Sequence, residues 1–356
     1  MKNRGAARPV YPSTLSRFHI KQPALIEMER VGMENAVEKG SLIKFGQVPL
    51  TASVDAFRHA MNAEIMAFLH SLPKSKQTDA VVFLLKHCRT SFLPRFDFFA
   101  NYYSPAWSVI YWLEKTDSNG ASLKSKEIAY ARTAHAMALF LHPLDDHLAD
   151  GQLPASHFHI LLRSQAWSRM TTAFDHLSRE VPDGGEIVRS YIDDYYASIE
   201  SPPKVDSLDG YCRHFVKQMA TGMIVPALMA AKISSEYEFA PALEEAYGAF
   251  GVAWRLLDDL RDMAVDMATG SHSAIYFGMS AEARQLWDQV SKDNNSIAYK
   301  KIRSVVFDSG IWETVVERIA TELTSAATLL DAIELEGLAE ELRCLAEPFS
   351  IRREES

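Results

Sequence analysis

The chain has 356 residues, 47 % of them hydrophobic and 23 % charged, with a formal net charge of −9. That length allows one large domain or two ordinary ones, and that balance supports a sizeable buried core. The acidic charge argues against non-specific nucleic-acid binding, no apolar run reaches the ~18–20 residues of a membrane span, and the widely separated Cys88, Cys212 and Cys344 form neither a disulfide framework nor a zinc cluster.

Taken in chain order, residues 1–50 carry several Pro and Gly, show no sustained period and read as an N-terminal arm or tail. Their start, MKNRGAARPVYPSTLSRF, is basic but lacks the apolar segment of a secretory signal, so a cytoplasmic location is expected. From Val54 onward apolar positions recur at helical spacing. The pattern predicts helices over about 53–71, 76–90, 102–115, 124–149, 155–180, 185–199, 207–232, 237–268, 279–292, 296–307 and 311–347, the last with a break. Interruptions fall at Pro182-Asp183-Gly184-Gly185 and Ser201-Pro202-Pro203. With no convincing strand alternation and no fixed repeat, the expected fold class is all-α: a single large helical bundle over residues 51–350, able to hold a central apolar pocket.

Two aspartate clusters stand out. The first is His142-Pro143-Leu144-Asp145-Asp146-His147-Leu148-Ala149-Asp150, after the apolar run Ala134 to Leu141. The second runs from Leu257 to Asp266, after Phe250 to Leu257. Carboxylates at the ends of helices that should be buried need a partner, because desolvating a charge is costly. Asp146 and Asp150 are spaced i, i+4, and Asp258, Asp262 and Asp266 are spaced i, i+4, i+8, so like charges share a helical face and repel. A divalent cation reverses that sign, and Mg²⁺ suits hard oxygens plus substrate phosphates. Solvated acidic helix ends are the bland alternative, less apt for two such clusters than for one. Asp193-Asp194, among tyrosines, reads as surface.

At this point the chain resembles the class I isoprenoid synthase superfamily, the trans-prenyl diphosphate synthases and terpene synthases. The stretch Phe250-Gly251-Val252-Ala253-Trp254-Arg255-Leu256-Leu257-Asp258-Asp259-Leu260-Arg261-Asp262 looks like the second aspartate-rich motif of prenyl synthases, and Lys217-Gln218-Met219-Ala220-Thr221-Gly222 resembles the diphosphate-binding segment upstream of it. The resemblance covers about residues 80–280. It implies metal ligation by Asp145, Asp146, Asp150, Asp258, Asp262 and Asp266, with Asp146 and Asp258 essential to catalysis, and several Mg²⁺ ions per site. It implies diphosphate binding by Arg213, Lys217 and Thr221, the first two also counted as catalytic, with Arg255 a further substrate-binding candidate that flanks the motif with Arg261, and Arg95 and Arg89 as partial substitutes for missing family arginines. The first motif departs from the family pattern: it reads DDxxxD, Pro143 should kink or restart the helix, and no arginine pair follows. The upstream Gly-Lys-Arg segment is missing, and His272 stands where a lysine is usual. One prenyl diphosphate is thus better supported than two.

Metal-assisted departure of diphosphate leaves an allylic cation that needs an apolar, aromatic-lined cavity. Phe96, Phe98, Phe99, Tyr102, Tyr103, Trp107, Tyr111 and Trp112 are the candidates, with Tyr103 and Trp107 foremost, though aromatic stripes are more often core. His142 and His147 invite a zinc reading, but a carboxylate-rich site suits Mg²⁺ better; His157 and His159 read as a helix start. The leading expectation is cyclisation or rearrangement of one prenyl diphosphate, as in a terpene synthase. Two alternatives stay open: a prenyltransferase, and a non-catalytic partner subunit of a synthase. A homodimer is an analogy from the resembled family.

Overall fold

The computed structural model describes residues 43–350 apart from 89, 94, 118–122, 150, 201–204, 235–237 and 294–295. Among them the chain is fourteen α-helices and one 3-10 turn, Phe99–Asn101, with one isolated bridge between Ser91 and Asp97. In order the helices are α1 Ala52–Ser71, α2 Lys74–His87, α3 Pro105–Thr116, α4 Ser125–Ala149, α5 His157–Ser178, α6 Gly184–Glu200 and α7 Leu208–Gln218. There follow α8 Ala220–Ile233, α9 Phe239–Thr269, α10 Ala274–Phe277, α11 Ala281–Asp293, α12 Ser296–Asp308, α13 Ile311–Ala332 and α14 Glu336–Ser350. The expected all-α class and the break in the last helical run are what the chain adopts.

Helix boundaries follow local chemistry. Thr51, Ser156 and Ser207 each cap a helix by accepting a backbone N–H three residues on. Gly270, at φ 70°, ends α9 in the left-handed region that glycine enters without strain. α9 is buried on nearly every side from Tyr247 to Met267, as befits a central helix, and it packs along α13. α4 packs along α5, and α13 along α14. No helix among the described residues is long and apolar enough to cross a membrane.

Two expectations are corrected. The run 207–232 is two helices, because the chain turns at Met219 (φ −79°, ψ −4°), whose N–H is shared between the carbonyls of Phe215 and Val216. Pro143 neither ends nor restarts α4, which runs through it. A proline there leaves the carbonyl of Leu139 without its helical N–H. The Tyr102 hydroxyl donates to that carbonyl at 2.7 Å and satisfies it from a neighbouring segment.

Residues 43–50 lie on the bundle: Ile43 and Phe45 are buried, Phe45 meets Tyr103 and Phe349 edge-on, and the Gly46 N–H donates to Leu345 O at 3.1 Å. Residues 1–42 of the expected arm lie outside the described residues.

Candidate active site

A stripe on α9 builds one wall of the site. Tyr247, Phe250, Gly251, Trp254, Arg255 and Asp258 recur at three- and four-residue intervals, and all face one cavity. Tyr102, Ala106, Ala138, Leu139, His142, Phe215, Met219, Thr221 and Gly222 complete its lining. The cavity volume is about 60 Å³, on a measure in which one water takes about 10–15 Å³. Trp254 stands edge-on to Tyr102 and Tyr103, with centroids 5.7 and 5.2 Å apart. At Gly251 a Cβ would come within 2.0 Å of the Met219 sulfur, so a side chain there would displace the flexible end of Met219. A smaller polar notch adjoins the cavity, lined by Leu141, His142, Asp145, Trp167, Tyr195, Gln218 and Thr221. His142 and Thr221 belong to both, so an apolar chamber and a polar mouth share a border.

Both acidic clusters are buried. Asp145, Asp146, Asp258, Asp259, Asp262 and Asp266 all lie in the interior. Asp145 accepts from Arg163 Nε at 2.7 Å and Nη2 at 3.2 Å, and from the Tyr195 hydroxyl at 3.0 Å. Asp259 accepts from the Tyr211 hydroxyl at 2.7 Å and the Ala274 N–H at 2.8 Å, and pairs with Arg255 at 3.0 Å. Arg255 Nε also donates to the Tyr211 oxygen at 2.6 Å. Asp258 is different: Arg261 lies 3.7 Å from its Oδ1, while its buried Oδ2 has no hydrogen-bond partner among the described residues.

The electrostatics follow from that burial. Desolvation pushes Asp258 up to about 7, against the lowering influence of Arg261 and Arg255. Desolvation, aided by the Arg255 charge, pushes His142 down to about 4, so its imidazole is neutral. Arg255 itself stays firmly charged, because the cost of its burial is outweighed by Asp259, Tyr211 and Asp266.

Among the residues nominated from sequence, Asp258, Arg255 and Thr221 line the cavity and Asp145 lines the notch. Tyr103 sits behind Trp254, close to Arg261 and Asp258. Asp146, Asp262 and Asp266 are buried on the same two helices; Asp150 and Arg89 lie outside the described residues. Arg213 and Lys217 are not brought to the cavity. The buried face of α7 carries Tyr211, Cys212, His214, Phe215 and Gln218, which leaves positions 213 and 217 exposed, and Lys217 pairs with Asp194 at 2.8 Å. Arg95 is 59 % exposed and pairs with Asp55 at 3.3 Å, because its loop lies over α1. Trp107 is core rather than lining, as are Phe98 and Phe99. Tyr111 donates to Ser53 and Trp112 to Glu341, away from the cavity. His147 contacts Gln152 Oε1 and the His87 carbonyl, and His272 stacks on Tyr276 and pairs with Asp288.

Several site residues escaped the sequence reading. Tyr247, Phe250 and Trp254 were legible, since they share a face with Asp258 by spacing alone. Phe215, Tyr195, Tyr211 and Arg163 reach the two clusters from other helices and had no local signal.

Among the described residues no three His, Cys, Asp or Glu side chains are gathered closely enough to hold a metal ion between them. The donor chemistry nonetheless suits Mg²⁺: hard carboxylate oxygens, and at Asp258 Oδ2 a buried acceptor without a hydrogen-bond donor.

No protein-family model and no curated protein sequence matches the chain. Solved structures do. A geranylgeranyl pyrophosphate synthase from Corynebacterium glutamicum superposes with a TM-score of 0.62 at 14 % identity, over 89 % of this chain and 98 % of that one. A geranylgeranyl pyrophosphate synthetase from Pyrococcus horikoshii gives a TM-score of 0.58 at 12 % identity, over 81 % and 97 %. The chain therefore has the all-helical isoprenoid synthase fold.

Proposed function

We propose that this protein ionises one prenyl diphosphate with the help of Mg²⁺, and that the resulting cation cyclises or rearranges in the cavity between α4, α8 and α9. The observation that carries the reading is the pairing of an aromatic chamber with buried carboxylates at its edge. Tyr102, Phe215, Phe250 and Trp254 line the same space as Asp258 and Arg255.

Asp146, Asp258, Asp262 and Asp266, with Asp150 from outside the described residues, would each offer carboxylate oxygens to Mg²⁺ ions whose other ligands come from the diphosphate and water. Mg²⁺, when bound, supplies charge neutralisation on the leaving diphosphate. Arg255 is the nominated cation inside the cavity, and its ion pair with Asp259 fixes it there. Thr221 offers a hydroxyl at the border between chamber and notch. The aromatic faces exclude water and favour a positive charge near them. His142, held neutral, adds no second cation beside the first. The present cavity holds a handful of waters and not a prenyl tail, so entry requires side chains to move; Met219, flexible and seated over Gly251, is placed to do so.

One substrate is favoured over two by the placement of Arg95, nominated as a partial substitute at a second diphosphate site, which lies on the surface paired with Asp55. A second reading, prenyl transfer to another acceptor, is favoured by the likeness to two geranylgeranyl pyrophosphate synthases. The test is diphosphate release from geranyl, farnesyl and geranylgeranyl diphosphates, with Mg²⁺ and with chelator, while the organic phase is extracted. Mg²⁺-dependent release lost in Asp146→Ala and Asp258→Ala supports the class. A longer prenyl diphosphate on adding isopentenyl diphosphate would replace cyclisation with chain elongation. No release under any condition would point to a non-catalytic subunit.

A further inference from the structure

The two acidic clusters share an arrangement that their sequences do not announce. In each, one of two adjacent aspartates is committed to an arginine and a tyrosine of this same chain. In the second cluster it is Asp259, with Arg255 and Tyr211. In the first it is Asp145, with Arg163 and Tyr195.

Asp145 has about four lone-pair directions to offer. Three donors already approach them: Nε and Nη2 of Arg163 at 2.7 and 3.2 Å, and the Tyr195 hydroxyl at 3.0 Å. The guanidinium is bidentate, the strongest way for a side-chain cation to bind a carboxylate. It is also held from behind, over the Trp167 ring at 5.4 Å. Arg163 comes from α5 and Tyr195 from α6, so three packed helices fix the trio. A metal binding Asp145 would have to displace that pair from a buried carboxylate. Asp258, whose Oδ2 accepts nothing among the described residues, presents no such obstacle.

We propose that Arg163 is a resident cation of the first acidic cluster: it occupies Asp145 in place of a metal ion, so Asp145 anchors an arginine and metal binding on α4 starts at Asp146. The part played by the remaining aspartates rests on the proposed function; the commitment of Asp145 does not. A fixed charge of +1 then stands beside the polar notch whether or not metal is present. Arg163 is a positioning residue here, acting through Asp145 and its fixed charge.

The experiment is Mn²⁺ titration of the full chain followed by electron paramagnetic resonance, with inorganic diphosphate as the anion. Wild type is compared with Asp145→Asn, Asp146→Asn, Arg163→Gln and the double variant R163Q/D145N, each checked for a native circular dichroism spectrum. Asp145→Asn should change Mn²⁺ affinity by less than about twofold, while Asp146→Asn weakens it by about tenfold or more. Arg163→Gln should bind an additional Mn²⁺ ion, and the double variant should lose it. A loss of about tenfold or more in Asp145→Asn, or no additional ion in Arg163→Gln, overturns the proposal. Should Arg163→Gln fail to fold, Asp145→Asn decides alone. Wild type that binds no Mn²⁺ while Arg163→Gln does would support the resident cation and refute the Mg²⁺ reading of the function.

Discussion

Replacing Asp258 by Asn should stabilise the protein while abolishing its proposed chemistry. Burial raises this carboxyl from its ordinary 3.8 to about 7. That is a shift of roughly three units, worth about 1.4 kcal/mol each, so holding the group ionised costs the metal-free fold roughly 4 kcal/mol. The native state keeps the proton more tightly than the unfolded chain does. This contribution is therefore fully present below about pH 4 and is lost as pH rises through about 7. In chelator at about pH 8, Asp258→Asn should be more stable than wild type by up to roughly 4 kcal/mol, shrinking to about 2 kcal/mol near pH 5. Urea unfolding followed by circular dichroism measures both. The new amide also needs a partner, so the pH dependence of the difference matters more than its size. A difference that is constant with pH, or larger near pH 5, would refute the reasoning. In the same variant Mg²⁺-dependent diphosphate release should drop by at least about 100-fold.

Three further outcomes follow from single contacts. Tyr102→Phe should cost about 1–2 kcal/mol by stripping the Leu139 carbonyl of its donor, and close to nothing in a Pro143→Ala background, where the substituted residue supplies the helical N–H; equal costs in both backgrounds on a double-mutant cycle would sink this account. His135 is buried with Nε2 2.7 Å from the Ala106 carbonyl and is pushed down to about 4 by desolvation. Its stabilising share is present above about pH 6.5 and is lost as pH falls towards 4, amounting to about 2 kcal/mol between about pH 7 and 5. Because Asp258 changes in the opposite direction, the check is the difference between wild type and His135→Gln unfolding curves at the two pH values. Gly46→Ala should lower stability by about 3 kcal/mol in thermal unfolding, since a Cβ there would sit 1.9 Å from the Cys344 carbonyl oxygen and would lift Ile43 and Phe45 from the bundle.

Periodicity alone determined the helical class, because a 3.6-residue apolar stripe has no other economical burial. The acidic spacing of Asp258, Asp262 and Asp266 likewise placed three carboxylates on one face, and the α9 stripe of Phe250, Trp254 and Asp258 was readable on the same rule. What the tertiary structure decided was which face of each helix looks inward and which partners arrive from elsewhere. Arg213 and Lys217 sit at helical spacing on the exposed side of α7, and nothing local to them distinguishes a cavity face from a solvent face. Arg163 and Tyr195 meet Asp145 from 18 and 50 residues away, contacts that exist only once α4, α5 and α6 have packed. The passage of α4 through Pro143 was closed to sequence reasoning for the same cause. The donor that replaces the missing N–H belongs to Tyr102, 37 residues before the carbonyl it satisfies. Local geometry follows from the order of residues along the chain, whereas the commitment of a buried charge depends on neighbours that the packing of helices brings to it.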